Sequence, residues 1–164
     1  PLPEAQVDRF MLKVHVDYLS KEDELKVMQR ISDLSFKPTL ETVLSKEDIF
    51  SIRNEVNQVA ISETMERYII ELVFATRNPL EYGLKDESQY IQFGASPRAS
   101  INLNLAAKAM AFFNQRDYVL PEDVKEIADD VLNHRILLNY EAEADEVSTH
   151  DIIKALLSKV NIGK

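Results

Sequence analysis

From residue 20 onward the apolar residues recur at helical spacing, and nearly every recurrence begins just behind a capping residue. Ser-Lys-Glu-Asp occurs twice, at Ser20 and Ser45. A serine followed three residues later by an acid is close to a capping box: the hydroxyl accepts a free N–H of the first turn, and the acid reaches back to the cap. The spacing predicts helices over 21–31, with Leu25, Met28 and Ile31 on one face, and over 46–59, through Ile49, Ile52, Val56 and Val59. Residues beyond the two Ser-Lys-Glu-Asp runs do not match, so the repeat is capping chemistry used twice rather than a duplication. Ser62 caps a third helix, "ETMERYIIELVFATR", whose Met65, Ile69, Leu72, Val73 and Thr76 mark a buried face. A fourth is predicted over 97–115 behind Ser96 and Pro97, with Ile101, Leu105, Ala109 and Phe112 as its apolar stripe. Leu120-Pro121-Glu122-Asp123 opens a fifth that closes near His134-Arg135, and Ser148 with Asp151 caps a sixth over 149–160. Between the third and fourth, "NPLEYGLKDESQYIQFG" collects Pro, Gly and charge and reads as a loop.

The first nineteen residues follow a different rule. Phe10, Leu12, Val14 and Val16 alternate with Met11, Lys13 and His15, a period of two that predicts one short strand. A lone strand leaves its backbone groups unpaired. The expectation is therefore that "PLPEAQVDRF" starts inside a larger α/β unit whose sheet lies elsewhere. The fold class that follows is mainly α: a helical bundle carrying a short N-terminal strand.

Composition narrows the function. The chain has 164 residues, 45% of them hydrophobic and 29% charged, enough for one ordinary domain or one domain with a fragment of another. There is no long apolar run or signal-peptide pattern, so neither membrane insertion nor secretion is expected. A net charge of −9 opposes binding to phosphate backbones, and nucleic acid is not an expected partner. Without cysteine there is no disulfide, thiol nucleophile or cysteine metal site. The only glycines are Gly83, Gly94 and Gly163, too few and wrongly spaced for a phosphate-cradling G-x-x-x-x-G-K-[ST] loop. No apolar strand ending in Asp-Glu is present to hold magnesium. This stretch by itself lacks the equipment to bind a nucleoside triphosphate.

Two arginines are the candidates for chemistry. Arg98 sits in the first turn of the fourth helix, where the helix end already carries about half a positive charge and a cation is disfavoured. A cation and a helix N-terminus together favour an anion; the plainer reading is an arginine whose stem packs on the core while its head reaches water. Arg9 precedes the expected strand, where it either pairs with Glu4 or Asp8 on the surface or projects its planar fork of donors across a subunit boundary onto a phosphate. His15, His134 and His150 are too scattered for a metal site, and His134 suits a helix C-terminus. Ser51, Ser88 and Ser148 lack a nucleophile's context. "EAEADEV", 141–147, reads as a solvated surface, and Tyr18, Tyr68, Phe74, Tyr82, Phe93, Phe112 and Phe113 as core.

Three stretches taken in order, "LPEAQVDRFMLKVHVDY", the helix ending Ala75-Thr76-Arg77, and "GASPRAS", resemble the MoxR family of AAA+ ATPases. The resemblance covers essentially the whole chain and implies the C-terminal half of such an enzyme: residues 1–19 as the edge of the nucleotide-binding core and residues 20–164 as its helical lid. It implies that Arg9 is an arginine finger reaching the nucleotide of the next subunit, and that Arg98 is the sensor 2 residue linking the lid to the γ-phosphate. Gly94, Ser96 and Pro97 would support the sensor 2 turn. ATP and magnesium would be cofactors of the intact parent, with none expected for this stretch alone. Neighbouring ring subunits and client proteins, von Willebrand factor A domain proteins among them, would be its partners, in the cytoplasm. The competing expectation is a stand-alone helical interaction module with no link to nucleotide.

Overall fold

The computed structural model describes residues 2–33 and 35–163. A short helix, α1 (Glu4–Val7), is followed by α2 (Lys21–Ser32), α3 (Lys46–Gln58) and α4 (Glu63–Arg77). A 3-10 turn (Pro79–Tyr82), α5 (Lys85–Ser88) and β1 (Ile91–Phe93) lead into α6 (Pro97–Phe113), α7 (Pro121–Leu132), β2 (Leu137–Leu138), α8 (Tyr140–Ala144) and α9 (Thr149–Lys159). The serine caps set the helix starts as expected. Ser20, Ser45, Ser62 and Ser148 each accept the backbone N–H three residues on, and Asp48 and Asp151 close full capping boxes.

The core lies where α4, α6, α7 and α9 converge. Tyr68, Ile69, Leu72 and Val73 from α4 meet Val124, Val131 and Leu132 from α7 and Ile152, Ile153 and Leu156 from α9. Helix α6 contributes mostly small side chains, Ala99, Leu103, Ala106, Ala107 and Ala111, which let α4 and α7 approach its backbone closely. This corrects the stripe expected from the sequence: Ile101 and Leu105 are exposed, and the buried face lies about half a turn away. Twelve of the seventeen positions along α6 are apolar and they fall on every side of the helix, so spacing alone does not choose the inward face. Arg98 therefore does not extend the buried stripe.

Helix α6 ends in a Schellman motif, with Gln115 at φ 56° where glycine is usual, and Arg116 N–H returning to Ala111 O at 2.9 Å. Arg116 then pairs with the buried Asp123, whose carboxylate also accepts the Leu120 N–H at 2.7 Å and so starts α7. Both devices hold α6 and α7 as a hairpin.

Further expectations meet the structure as follows. Residues 10–19 alternate in polarity but form no strand, because among the described residues no neighbouring strand supplies a ladder. The sheet that does exist joins β1 to β2, antiparallel, with Ile91 opposite Leu138. Its β1 lies inside the stretch read as a loop and β2 follows α7; strands of three and two residues are too short to show a period. The acidic side chains of 141–147 are exposed, as expected of a solvated surface, although the run also forms α8 with Ala142 buried beneath it. Tyr18, Phe74, Phe93 and Phe113 are exposed rather than core, whereas Tyr68 is fully buried. Helix α2 presents Leu25, Met28 and Ile31 on one face as predicted, but buries no residue.

Candidate functional site

The three stretches singled out in the sequence meet at one end of the bundle. At the C-terminus of α4, the buried Thr76 hydroxyl donates to Val73 O at 2.7 Å and accepts the Ala95 N–H at 2.9 Å. Arg77 Nε donates to Ala95 O at 2.6 Å. These bonds clamp the segment Gly94-Ala95-Ser96 onto α4. Gly94 is required by contact rather than by conformation: a Cβ there would stand 2.5 Å from the Thr76 carbonyl oxygen.

Clamped in this way, Ser96 caps α6, accepting the Arg98 N–H at 3.2 Å with Pro97 at the first helical position. The Ser96 hydroxyl lies 2.9 Å from both oxygens of the Asp8 carboxylate. Arg98 Nη1 donates to Asp8 Oδ2 at 3.1 Å. The misplaced cation of the sequence is thus explained by tertiary structure: helix end and guanidinium share an anion, and the anion is Asp8. The plainer reading, a head that simply reaches water, gives way to a pair within the chain. Arg98 remains about half exposed, with side-chain accessibility of 52%.

A residue that the sequence reading passed over as an ordinary helix-end cation completes the cluster. Arg135, just beyond α7, has a fully buried side chain and donates through Nε to Asp8 Oδ1 at 3.2 Å. Its other donors go to main-chain carbonyls: Nη1 to Met11 O at 3.2 Å and to Val131 O, Nη2 to Asp8 O at 3.1 Å and to Phe10 O. His134 adds its Nε2 at 3.1 Å from Phe10 O, and Asn133 donates to Lys13 O at 3.0 Å. Lys13 N–H donates to Asp130 O at 2.8 Å. The end of α7 therefore grips residues 8–13 by their backbone.

Burial alone would raise the Asp8 pKa, but hydrogen bonds from Ser96 and Arg98 and the nearby charges of Arg135 and Arg98 hold it below the ordinary carboxylate value. Burial lowers the Arg135 pKa, against the pull of Asp8. Burial likewise lowers His134, against its bond to Phe10 O. Two guanidiniums face one carboxylate, leaving one formal positive charge in excess among these three groups beside the N-terminus of α6. A cavity of about 270 Å³ opens against Asp8 and Arg135, lined also by Glu4, Ala5, Phe93, Gly94, His134 and Leu137.

Arg9 lies next to Asp8 in sequence but apart from the cluster. It is exposed, and among the described residues its side chain has no hydrogen bond or ion pair. The surface pair with Glu4 or Asp8 does not form, because Asp8 is already engaged by Arg98 and Arg135. No described group of His, Asp and Glu is placed to hold a metal ion.

A helical bundle closed by this motif cluster defines a lid, and residues 84–156 match the AAA lid domain family. The chain is 39% identical over 160 residues to the chaperone MoxR1 of Mycobacterium tuberculosis, covering 98% of this chain and 42% of that protein. It is 36% identical over 162 residues to the uncharacterized protein YeaC of Bacillus subtilis, covering 99% and 48% respectively. A solved crystal structure of a Cytophaga hutchinsonii protein matches with a TM-score of 0.94 at 65% identity, over 100% of this chain and 50% of that one. The chain belongs to the MoxR family of AAA+ ATPases. It spans half or less of the length of each of these proteins. No described helix is long and apolar enough to cross a membrane.

Proposed function

We propose that this chain is the lid region of a MoxR-type AAA+ ATPase, with residues 1–19 at the edge of the nucleotide-binding core and residues 20–164 as the helical lid. The intact ATPase would use ATP hydrolysis, in a cytoplasmic ring, for chaperone-like remodelling or maturation of partner proteins. Von Willebrand factor A domain proteins are the client class this reading favours. The observation that carries it is the convergence of "DRF", Thr76-Arg77 and "GASPR" on one cluster, with a half-exposed guanidinium at a helix N-terminus and net positive charge beside it. That arrangement suits a terminal phosphate.

The residues present fit magnesium-bound ATP only as contributors from the lid side, since the phosphate-cradling loop is not among them. Bound there, ATP supplies the phosphoryl group whose loss the lid reads. Arg98 exchanges Asp8 for the γ-phosphate as sensor 2, and Gly94, Ser96 and Pro97 hold the turn from which it acts. Arg9, free and exposed, extends toward the nucleotide of the neighbouring subunit, where a planar cation stabilises transition-state charge and is worth about 10³-fold or more in rate.

The test is ATP turnover by the intact ATPase carrying Arg9→Ala or Arg98→Ala. Both should lose most of their activity; near-wild-type turnover in both refutes the reading. Mixing Arg9→Ala subunits with subunits lacking a working phosphate loop should restore part of the activity, as expected for a finger acting between subunits.

A further inference from the structure

We propose that Arg135 is the positioning residue for Arg9, holding the turn that aims it and, through Asp8, setting where Arg98 rests. This deepens the reading above and rests on it. A guanidinium has five N–H donors in a rigid fork. In Arg135 all five have acceptors: the Asp8 carboxylate, the carbonyls of Asp8, Phe10 and Met11, and Val131 O on its own helix. The Asp8 carbonyl belongs to the peptide that precedes Arg9 and the Phe10 carbonyl to the peptide between Phe10 and Met11, so a single buried side chain holds the chain just before and just after Arg9. The turn is also closed by local bonds, Arg9 N–H to Gln6 O at 3.2 Å and Phe10 N–H to Val7 O at 3.1 Å.

The chemistry of the contact explains why an arginine is needed. Four of the five acceptors are main-chain carbonyls fixed in space, and only a planar fork reaches several of them at once. A lysine keeps the charge opposite Asp8 but offers one compact ammonium, and so cannot hold both carbonyls around Arg9. The residue is fully buried while Arg9 is exposed, which separates the two roles. Arg135 acts on Arg9 by ordering the chain, and on Arg98 by sharing Asp8.

The experiment compares Arg135→Lys, Arg9→Ala and the double variant in the intact ATPase, with Arg67→Ala, from an exposed helical pair with Glu63, as the control. Arg135→Lys keeps the buried charge, and its folding is checked by thermal melting. The expected result is a loss of about tenfold or more in kcat with KM for ATP unchanged, because a misaimed group costs rate rather than substrate binding. Added to Arg9→Ala, Arg135→Lys should cost no further kcat. In parallel, amide hydrogen exchange at residues 9–13 should quicken about tenfold in Arg135→Lys, with α4 and α9 unchanged. An additive loss of kcat, an equal change in KM, or unaltered exchange at residues 9–13 overturns the inference while leaving the finger role intact. If Arg9→Ala alone leaves turnover unchanged, the finger reading itself falls, and the positioning role falls with it.

Discussion

Replacing Asp8 by alanine tests the cluster most directly, because one carboxylate serves three donors. The Arg98 bond is half exposed and screened, worth about 0.5 kcal/mol. The Ser96 hydroxyl loses an ionised acceptor but sits where water can replace it, at a cost of about 1 kcal/mol. Arg135 is the expensive partner: breaking a buried pair from one side costs about 3–5 kcal/mol. Here that figure is discounted to about 1.5 kcal/mol, since four carbonyl acceptors remain to Arg135 and Asp8 itself is 17% exposed. The expected destabilisation is about 3 kcal/mol, or a fall in Tm of roughly 6–12 °C for a chain of this size. Asp8→Asn keeps shape and one acceptor oxygen and should lose about half as much. Chemical and thermal unfolding followed by circular dichroism measures both. The pH dependence supplies an internal check. The folded pKa of Asp8 lies below its unfolded value, so its contribution is complete above about pH 4–5 and disappears as the pH falls through the folded value. The gap between wild type and Asp8→Asn should therefore stay level from neutral pH down to about pH 5 and close in stronger acid. A loss below about 0.5 kcal/mol in Asp8→Ala, or a gap that persists in strong acid, would refute the reasoning.

Gly94→Ala should destabilise by about 1–3 kcal/mol, because its Cβ would press on the Thr76 carbonyl, which is helix backbone and cannot swing aside; equilibrium unfolding measures this, and neutrality would mean that the clamp is loose. Asp123→Ala should cost about 2–3 kcal/mol by releasing the start of α7 and leaving Arg116 without its carboxylate, with faster amide exchange at residues 116–124. His134 should titrate by NMR below the ordinary 6.5, because burial disfavours its charged form. As the unfolded chain then binds more protons, stability should rise with pH across the interval between that lowered value and about 6.5, and a pKa at or above 6.5 would contradict the packing of His134 against Phe10.

Capping and turn chemistry were legible residue by residue because they act over three or four positions. Ser62 and Asn78 bound α4 at the residues where its apolar period starts and stops, and the same holds for Ser148 and α9. The period of two at residues 10–16 was just as legible yet formed no strand, since a strand is a relation between two segments and no described segment pairs with it. In α6 the run of alanines let Ile101 and Leu105 stand for the buried face when helix packing selects the smallest side chains instead.

The sequence by itself determined where the six longer helices begin, and it nominated Arg98 through a local contradiction: a cation placed against a helix dipole. What it could not specify was the counter-charge. Asp8 and Arg98 are 90 positions apart, and Asp8 and Arg135 are 127 apart. No local periodicity links residues at that distance; only the packing of α6 and α7 brings them to one carboxylate. Arg135 looked like any cation at a helix end, because its function is to bind backbone carbonyls, which every residue has and which leave no mark in a sequence. Tertiary structure alone decided that this arginine is buried, that Arg98 is held, and that Arg9 is left free.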